Sequence, residues 1–97
     1  MAEPQAYIRG VITKLESLLT NDRHKAHGDA KHSMKAIAEY WSLYLDKELT
    51  EENICVMMSL LKIARTTTGN KDNRDHLIDS AGYGILAVAL KDRKGYE

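Results

Sequence analysis

Apolar residues recur along the chain at the three- and four-residue spacing of amphipathic helices, in four separate blocks. The first block predicts a helix over residues 4–20, which Pro4 can open because its missing N–H would be unpaired in a first turn. The other blocks predict helices over residues 30–47, 51–67 and 73–92. No block has the two-residue alternation of a half-buried strand.

The third predicted helix is apolar around much of its circumference, which places it at the centre of the domain. We expect most apolar residues of the second and fourth helices to face inward: Met34, Ile37, Ala38, Trp41, Tyr44, Leu45, Leu77, Ile78, Ala81, Ile85, Leu86, Val88 and Leu90. The pattern predicts a single all-α domain over residues 1–97, a four-helix bundle whose last two helices form an antiparallel hairpin.

Composition narrows the class of protein. A chain of 97 residues builds one core, and its 14 basic residues balance its 14 acidic ones, so no overall field attracts nucleic acid or an acidic membrane. The single cysteine, Cys55, lies in an apolar stretch, which favours a reducing compartment. No apolar run approaches the ~20 residues that span a bilayer, and the N-terminus lacks the pattern of a secretory signal. We expect a cytoplasmic protein.

Charged residues of the third and fourth predicted helices are placed symmetrically about the turn between them. Lys62 and Arg65 lie near the end of the third helix, and Asp75, Asp79 and Tyr83 form a stripe on the fourth. In an antiparallel hairpin, Arg65 is expected to face Asp75, and Lys62 to face Asp79.

Two interpretations of these residues stay open. In the first, ion pairs between the helices set their register, and each partly exposed pair contributes about 0–1 kcal/mol. In the second, Asp75 and Asp79 hold Mg²⁺, which proteins commonly bind through one or two carboxylates and the phosphates of a substrate. Lys62 and Arg65 would then meet phosphate, and Tyr83 would present its ring to a nucleobase.

A basic segment leads into the second helix, with cationic or titratable side chains at Arg23, His24, Lys25, His27, Lys31, His32 and Lys35. Helix N-termini bind anions through outward-pointing N–H groups, and Gly28 allows close approach, so His27, Gly28, Asp29 and Lys31 are candidate phosphate ligands. The alternatives are a solvated charged face with Asp29 as the helix cap, or a histidine metal site, which no cysteine is placed to complete.

Two glycines, Gly82 and Gly84, fall inside the fourth helix, where each costs about 1 kcal/mol relative to alanine. Close approach of another helix would offset that cost. The small residues Ala81, Gly84 and Ala87 form a ridge for the first helix, the second helix or the same surface of a second protomer. The sequence contains no catalytic triad order, phosphate-binding glycine loop or cysteine pair, so whether the protein is an enzyme stays open.

Several segments in order resemble a family of small all-α proteins encoded by tailed phages and prophages: His27-Gly28-Asp29 and the stretches 37–45, 57–65, 72–73 and 79–83. The resemblance covers roughly residues 20–90 and implies no particular activity. It implies that the candidate site residues are family positions, namely His27, Gly28, Asp29, Lys62, Arg65, Asp79 and Tyr83.

More distantly, the helical layout is similar to that of the all-α, MazG-like nucleoside triphosphate pyrophosphohydrolases. Those enzymes hold Mg²⁺ with acidic clusters on two neighbouring helices and build their sites between protomers, which implies a Mg²⁺ cofactor and a homodimer here. Asp75 and Asp79 supply one cluster. The other, a repeated Glu pattern on the preceding helix, is not present, and Glu39 is the only other inward candidate.

The sequence leaves two hypotheses about function. In the first, a phage-encoded protein binds a nucleotide or another phosphorylated small molecule, with pyrophosphohydrolase-like activity as an extension. In the second, a non-enzymatic interaction module binds and modulates a host protein through an exposed helical face.

Overall fold

The computed structural model describes residues 3–22, 30–68 and 74–92, and every regular element in these ranges is helical. Helix α1 spans Pro4–Ser17 and continues as a π-helical turn over Leu18–Asp22. Helix α2 spans Ala30–Leu45, α3 spans Glu51–Arg65 and α4 spans Arg74–Asp92. The prediction of an all-α fold is confirmed, with small differences at the helix ends.

Helix α2 ends at Leu45, two residues before the predicted end, because Asp46 takes a left-handed conformation with a φ of 53°. Aspartate tolerates this conformation better than most residues. The Lys47 N–H then bonds back to the Ser42 carbonyl at 3.1 Å, which closes the helix. Ser42 Oγ accepts a hydrogen bond from the Leu49 N–H at 2.8 Å, so the turn into α3 is fixed by a side chain of α2.

Helix α3 begins with a capping box. Thr50 Oγ1 accepts a hydrogen bond from the Asn53 N–H at 3.1 Å, and Asn53 Oδ1 accepts one from the Thr50 N–H at 3.0 Å. At the other end, the hydroxyls of Thr66 and Thr67 donate to carbonyls of the last turn, at 2.6 and 2.7 Å. These side-chain bonds compete with the helical pattern, which explains why α3 ends at Arg65 and not at residue 67.

The α3–α4 hairpin is the centre of the packing: α2 lies against α3, and α1 contacts α4 less extensively. Ile54 and Cys55 of α3 are fully buried. Val56 and Leu60 on the same helix are 50% and 62% exposed, so α3 is not covered around most of its circumference as the sequence predicts. The other buried members of the core cluster come from α2 and α4: Met34, Ala38, Leu86, Ala87 and Leu90. Among the described helices, none combines the length and apolar character needed to cross a membrane.

The two glycines of α4 have different surroundings. A Cβ at Gly82 would lie 3.3 Å from Leu15 Cδ1 and 3.5 Å from Leu19 Cδ2, so Gly82 is where α1 approaches α4 closely. A Cβ at Gly84 would meet no atom within 4 Å. The expected ridge of Ala81, Gly84 and Ala87 is therefore not one continuous contact surface: Ala87 belongs to the core cluster, whereas Gly84 faces open space.

Many large apolar side chains that the periodicity placed inside are on the surface. On α2, Tyr44 is 88% exposed although it was expected to be buried. On α4, three of the expected inward residues are at least half exposed: Leu77, Ile85 and Val88. The apolar stripes exist as predicted, but within one protomer the neighbouring helices cover only part of each stripe.

We expect Thr50→Ala to reduce the free energy of unfolding by about 1 kcal/mol, because it leaves the Asn53 N–H without its acceptor at the start of the central helix. Urea unfolding followed by circular dichroism measures the loss. Thr13→Ala is the control, since Thr13 Oγ1 only donates to the Arg9 carbonyl on an exposed turn of α1. A loss as large for Thr13→Ala would contradict the assignment of the effect to the cap.

Candidate functional site

A cation and a carboxylate meet between α3 and α4. Lys62 Nζ lies 3.1 Å from Asp79 Oδ2, and the two side chains are 18% and 40% exposed. This is the cross-helix pair expected from the symmetry of the hairpin. The exposed pairs of the described chain are looser, as in Lys91–Glu52, where the charged atoms are 3.9 Å apart. Of these two pairs, Lys62–Asp79 is the closer and the more shielded from water.

A serine pair lies one turn from this ion pair. Ser59 Oγ is 2.7 Å from Ser80 Oγ and donates a hydrogen bond to the Ser80 carbonyl at 3.1 Å. Both serines are partly buried, so their hydroxyls satisfy each other where water has limited access. Two neighbouring polar contacts thus fix the register of α3 against α4.

The other expected pair of the hairpin does not form. Asp75 Oδ1 lies 3.6 Å from Lys14 Nζ of α1, and its side chain is 82% exposed. Arg65 is exposed, and the structure gives it no ion pair with any described residue. The expected pairing of Arg65 with Asp75 was wrong because α1, docked on α4, brings Lys14 close enough to Asp75 to pair with it.

Two further side chains lie on the inner face of α4. His76 precedes Asp79 by three residues and Tyr83 follows it by four, so the three share one face of the helix. The Nδ1 atom of His76 is buried and has no hydrogen-bond partner among the described residues. Tyr83 is partly buried and packs against the core cluster. His76 was missed from the sequence, although its spacing from Asp79 and Tyr83 carried the signal.

The carboxylates suit a divalent cation only if other ligands complete the site. Asp75 and Asp79 are one helical turn apart, yet each has a lysine ammonium within 4 Å. In the described ranges, no three His, Cys, Asp or Glu side chains are grouped so that they could hold a metal ion. The described residues therefore form no protein-built cage, and a Mg²⁺ ion held by these two carboxylates with phosphate and water stays a prediction from the sequence.

The second candidate anion site falls mostly outside the described residues. His27, Gly28 and Asp29 are not described, and for Lys31 only the backbone is described, in the first turn of α2. Whether these residues meet an anion stays a prediction from the sequence.

The fold and the polar cluster define a small all-α protein with a partly buried charged pair between its last two helices. The sequence profile of DUF6378, a domain of unknown function, matches residues 10–91. The chain belongs to this family.

Two relatives are phage proteins. The chain is 40% identical over 78 residues to the Gene 55 protein of Mycobacterium phage L5, a match that covers 78% of this chain and 49% of that protein. It is 34% identical over 73 residues to the Gene 55 protein of Mycobacterium phage D29, covering 75% of this chain and 48% of that protein.

The chain therefore spans about half the length of these relatives. No solved structure matches it. The resemblance to a phage protein family is confirmed, whereas the likeness to MazG-like enzymes stays a hypothesis.

A double-mutant cycle tests the energy of the Lys62–Asp79 pair. We expect Lys62→Met and Asp79→Asn to be coupled by about 1 kcal/mol in the free energy of unfolding, because the lysine is mostly shielded from water. The same cycle with Lys91→Met and Glu52→Gln is the matched control and should give a coupling near zero. Equal coupling energies in the two cycles would contradict the expectation that the shielded Lys62–Asp79 pair is stronger than an exposed pair.

Proposed function

We propose that the protein binds a phosphorylated small molecule, most simply a nucleotide, at the end of the α3–α4 hairpin that carries Lys62 and Asp79. The observation that carries this proposal is the charged pair there: Lys62 has only 18% of its side chain exposed and is held 3.1 Å from Asp79. The Nδ1 of His76, on the same face of α4, is buried and has no hydrogen-bond partner among the described residues.

Each residue has a distinct part in the proposal. Arg65, exposed one turn beyond Lys62, supplies the planar donor group that suits phosphate. Lys62 adds a point charge, which Asp79 holds in place. Tyr83 lies two turns further from the hairpin turn than His76, where its partly buried ring can pack against a base or another flat group.

Mg²⁺ enters the proposal with the ligand. Asp75 and Asp79 would hold the ion together with phosphate oxygens and water, because the described residues do not group enough ligands to hold it alone. The ion would neutralise phosphate charge. The candidate phosphate ligands at the start of α2, namely His27, Gly28, Asp29 and Lys31, belong to the same proposal from the sequence. The proposed function is binding of the ligand in the host cytoplasm, without catalysis.

A thermal-shift titration tests the proposal. Nucleoside mono-, di- and triphosphates and inorganic pyrophosphate are added with and without Mg²⁺. A ligand at 100 times its dissociation constant stabilises the folded protein by about 2.7 kcal/mol, which raises the melting temperature of a domain of this size by several degrees. We expect the shift to be lost in Arg65→Ala, whose exposed side chain can be removed without disturbing the core.

Lys91→Ala is the matched control, since Lys91 is also cationic and exposed but lies at the far end of α4. It should keep the full ligand-induced shift. Asp79→Asn separates the metal from the phosphate: it should abolish the additional effect of Mg²⁺ and leave a weaker shift without the ion. If no phosphorylated probe raises the melting temperature, or if Arg65→Ala responds like the wild type, the proposal is wrong.

A second function is favoured by a different observation. Tyr40, Leu43 and Tyr44 share one face of α2 and are 71%, 80% and 88% exposed. Adjacent aromatic and aliphatic side chains at this spacing are how amphipathic helices enter an apolar groove of another protein. We propose, as the alternative, that this α2 face docks into such a groove on a host protein, which would make the protein an interaction module.

Affinity capture from host lysate tests the alternative when it is combined with a point variant. Leu43→Glu should lose one stoichiometric partner that the wild type captures, because the charge would be buried in the groove. Glu39→Gln, on a neighbouring part of α2, should retain it. The purified partner must then bind the wild type and not Leu43→Glu. A partner that both proteins capture equally would contradict a role for this face.

A further inference from the structure

The outer face of α4 carries an apolar seam that none of the other described helices covers. Leu77, Ala81, Gly84 and Val88 recur at alternating spacings of four and three residues, which places them in one line along the helix. Leu77 is 53% exposed and Val88 is 60% exposed. Between them, a Cβ at Gly84 would meet nothing within 4 Å. The seam is therefore open along its length.

The order of side chains along this seam is symmetric. Large residues stand at its two ends and small residues in the middle, with spacings of four, three and four residues. If two copies of α4 pack antiparallel about a point between residues 82 and 83, Leu77 of one copy faces Val88 of the other. Ala81 then faces Gly84, and these small residues let the helices approach closely at the centre. The seam is self-complementary.

Charges at the seam ends agree with this arrangement. Arg74 and Asp92 lie on the same edge of α4, at its two ends. In the antiparallel pair, Arg74 of one copy comes beside Asp92 of the other, so that opposite charges meet twice. Within the protomer, the Arg74 guanidinium also lies 5.9 Å from the centroid of the Tyr7 ring of α1.

We infer that the protein forms an antiparallel homodimer through the outer face of α4, with Leu77, Ala81, Gly84 and Val88 at its centre. This inference goes beyond the proposed ligand binding and does not depend on it. The seam lies on the side of α4 opposite Asp79, so the dimer leaves the Lys62–Asp79 pair within each protomer.

Analytical ultracentrifugation of the full chain tests the dimer. At micromolar concentration, the molecular mass measured for the wild type should be twice the 11.0 kDa mass of one chain. Val88→Glu should raise the dimer dissociation constant at least ~100-fold, because two charges would be buried near the interface. Val56→Glu is the matched control: Val56 is also an exposed valine, at 50%, but lies on α3. It should remain dimeric, and circular dichroism should show both variants as helical as the wild type.

Disulfide cross-linking tests the antiparallel register. The double variant Leu77→Cys/Val88→Cys should form a covalent dimer under mild oxidation, because these positions face each other. Leu77→Cys alone should not, because its two copies would be about 16 Å apart along the helices. A monomeric wild type would overturn the inference. So would a dimer that Val56→Glu dissociates and Val88→Glu does not, or efficient cross-linking of Leu77→Cys alone.

Discussion

The pairing of α3 with α4 is the interaction on which the other helices depend. α2 rests on α3, α1 rests on α4, and the fully buried side chains of Ile54 and Cys55 belong to α3. Apolar burial alone gives such a hairpin little reason to prefer one register, since helices with wide apolar faces can slide past each other. The Ser59–Ser80 and Lys62–Asp79 contacts have partners at one register only. They act mainly by specifying the alignment, because partly exposed polar pairs add little net stability.

The same contacts bear on function because they immobilise chemically capable groups. A lysine on a helix surface samples many rotamers, and ordering it on a ligand costs about 1.5–2 kcal/mol of side-chain entropy. Lys62 has lost much of that freedom already, held against Asp79 with only 18% of its side chain exposed. Structural and ligand-binding roles for this pair are therefore compatible. Asp79 can orient the ammonium group while the ammonium group meets an anion from the open side.

The sequence was sufficient to predict the helices and the register of the α3–α4 hairpin. It was not sufficient to predict which residues cover each face of a helix. Periodicity identifies the apolar stripe of a helix without saying what covers it, so Tyr44 was expected inside although it is 88% exposed. The pairing of Lys62 with Asp79 followed from antiparallel geometry alone. The partner of Asp75 did not, because Lys14 reaches it only through the docking of α1 on α4. The end of α2 depended on the left-handed Asp46, which apolar periodicity does not reveal.

The two faces of α4 separate the two proposals made for this helix. Asp79 faces α3, whereas the seam of Leu77 and Val88 faces away from it. The resemblance to MazG-like enzymes implies a site shared between protomers, but a second copy on the seam cannot bring its side chains to Asp79 through the body of the helix. Each protomer of this dimer would hold its own ligand. Dimerisation would then support ligand binding only by covering apolar surface and stiffening α4. The dimerisation equilibrium and the ligand-binding equilibrium should therefore be coupled weakly.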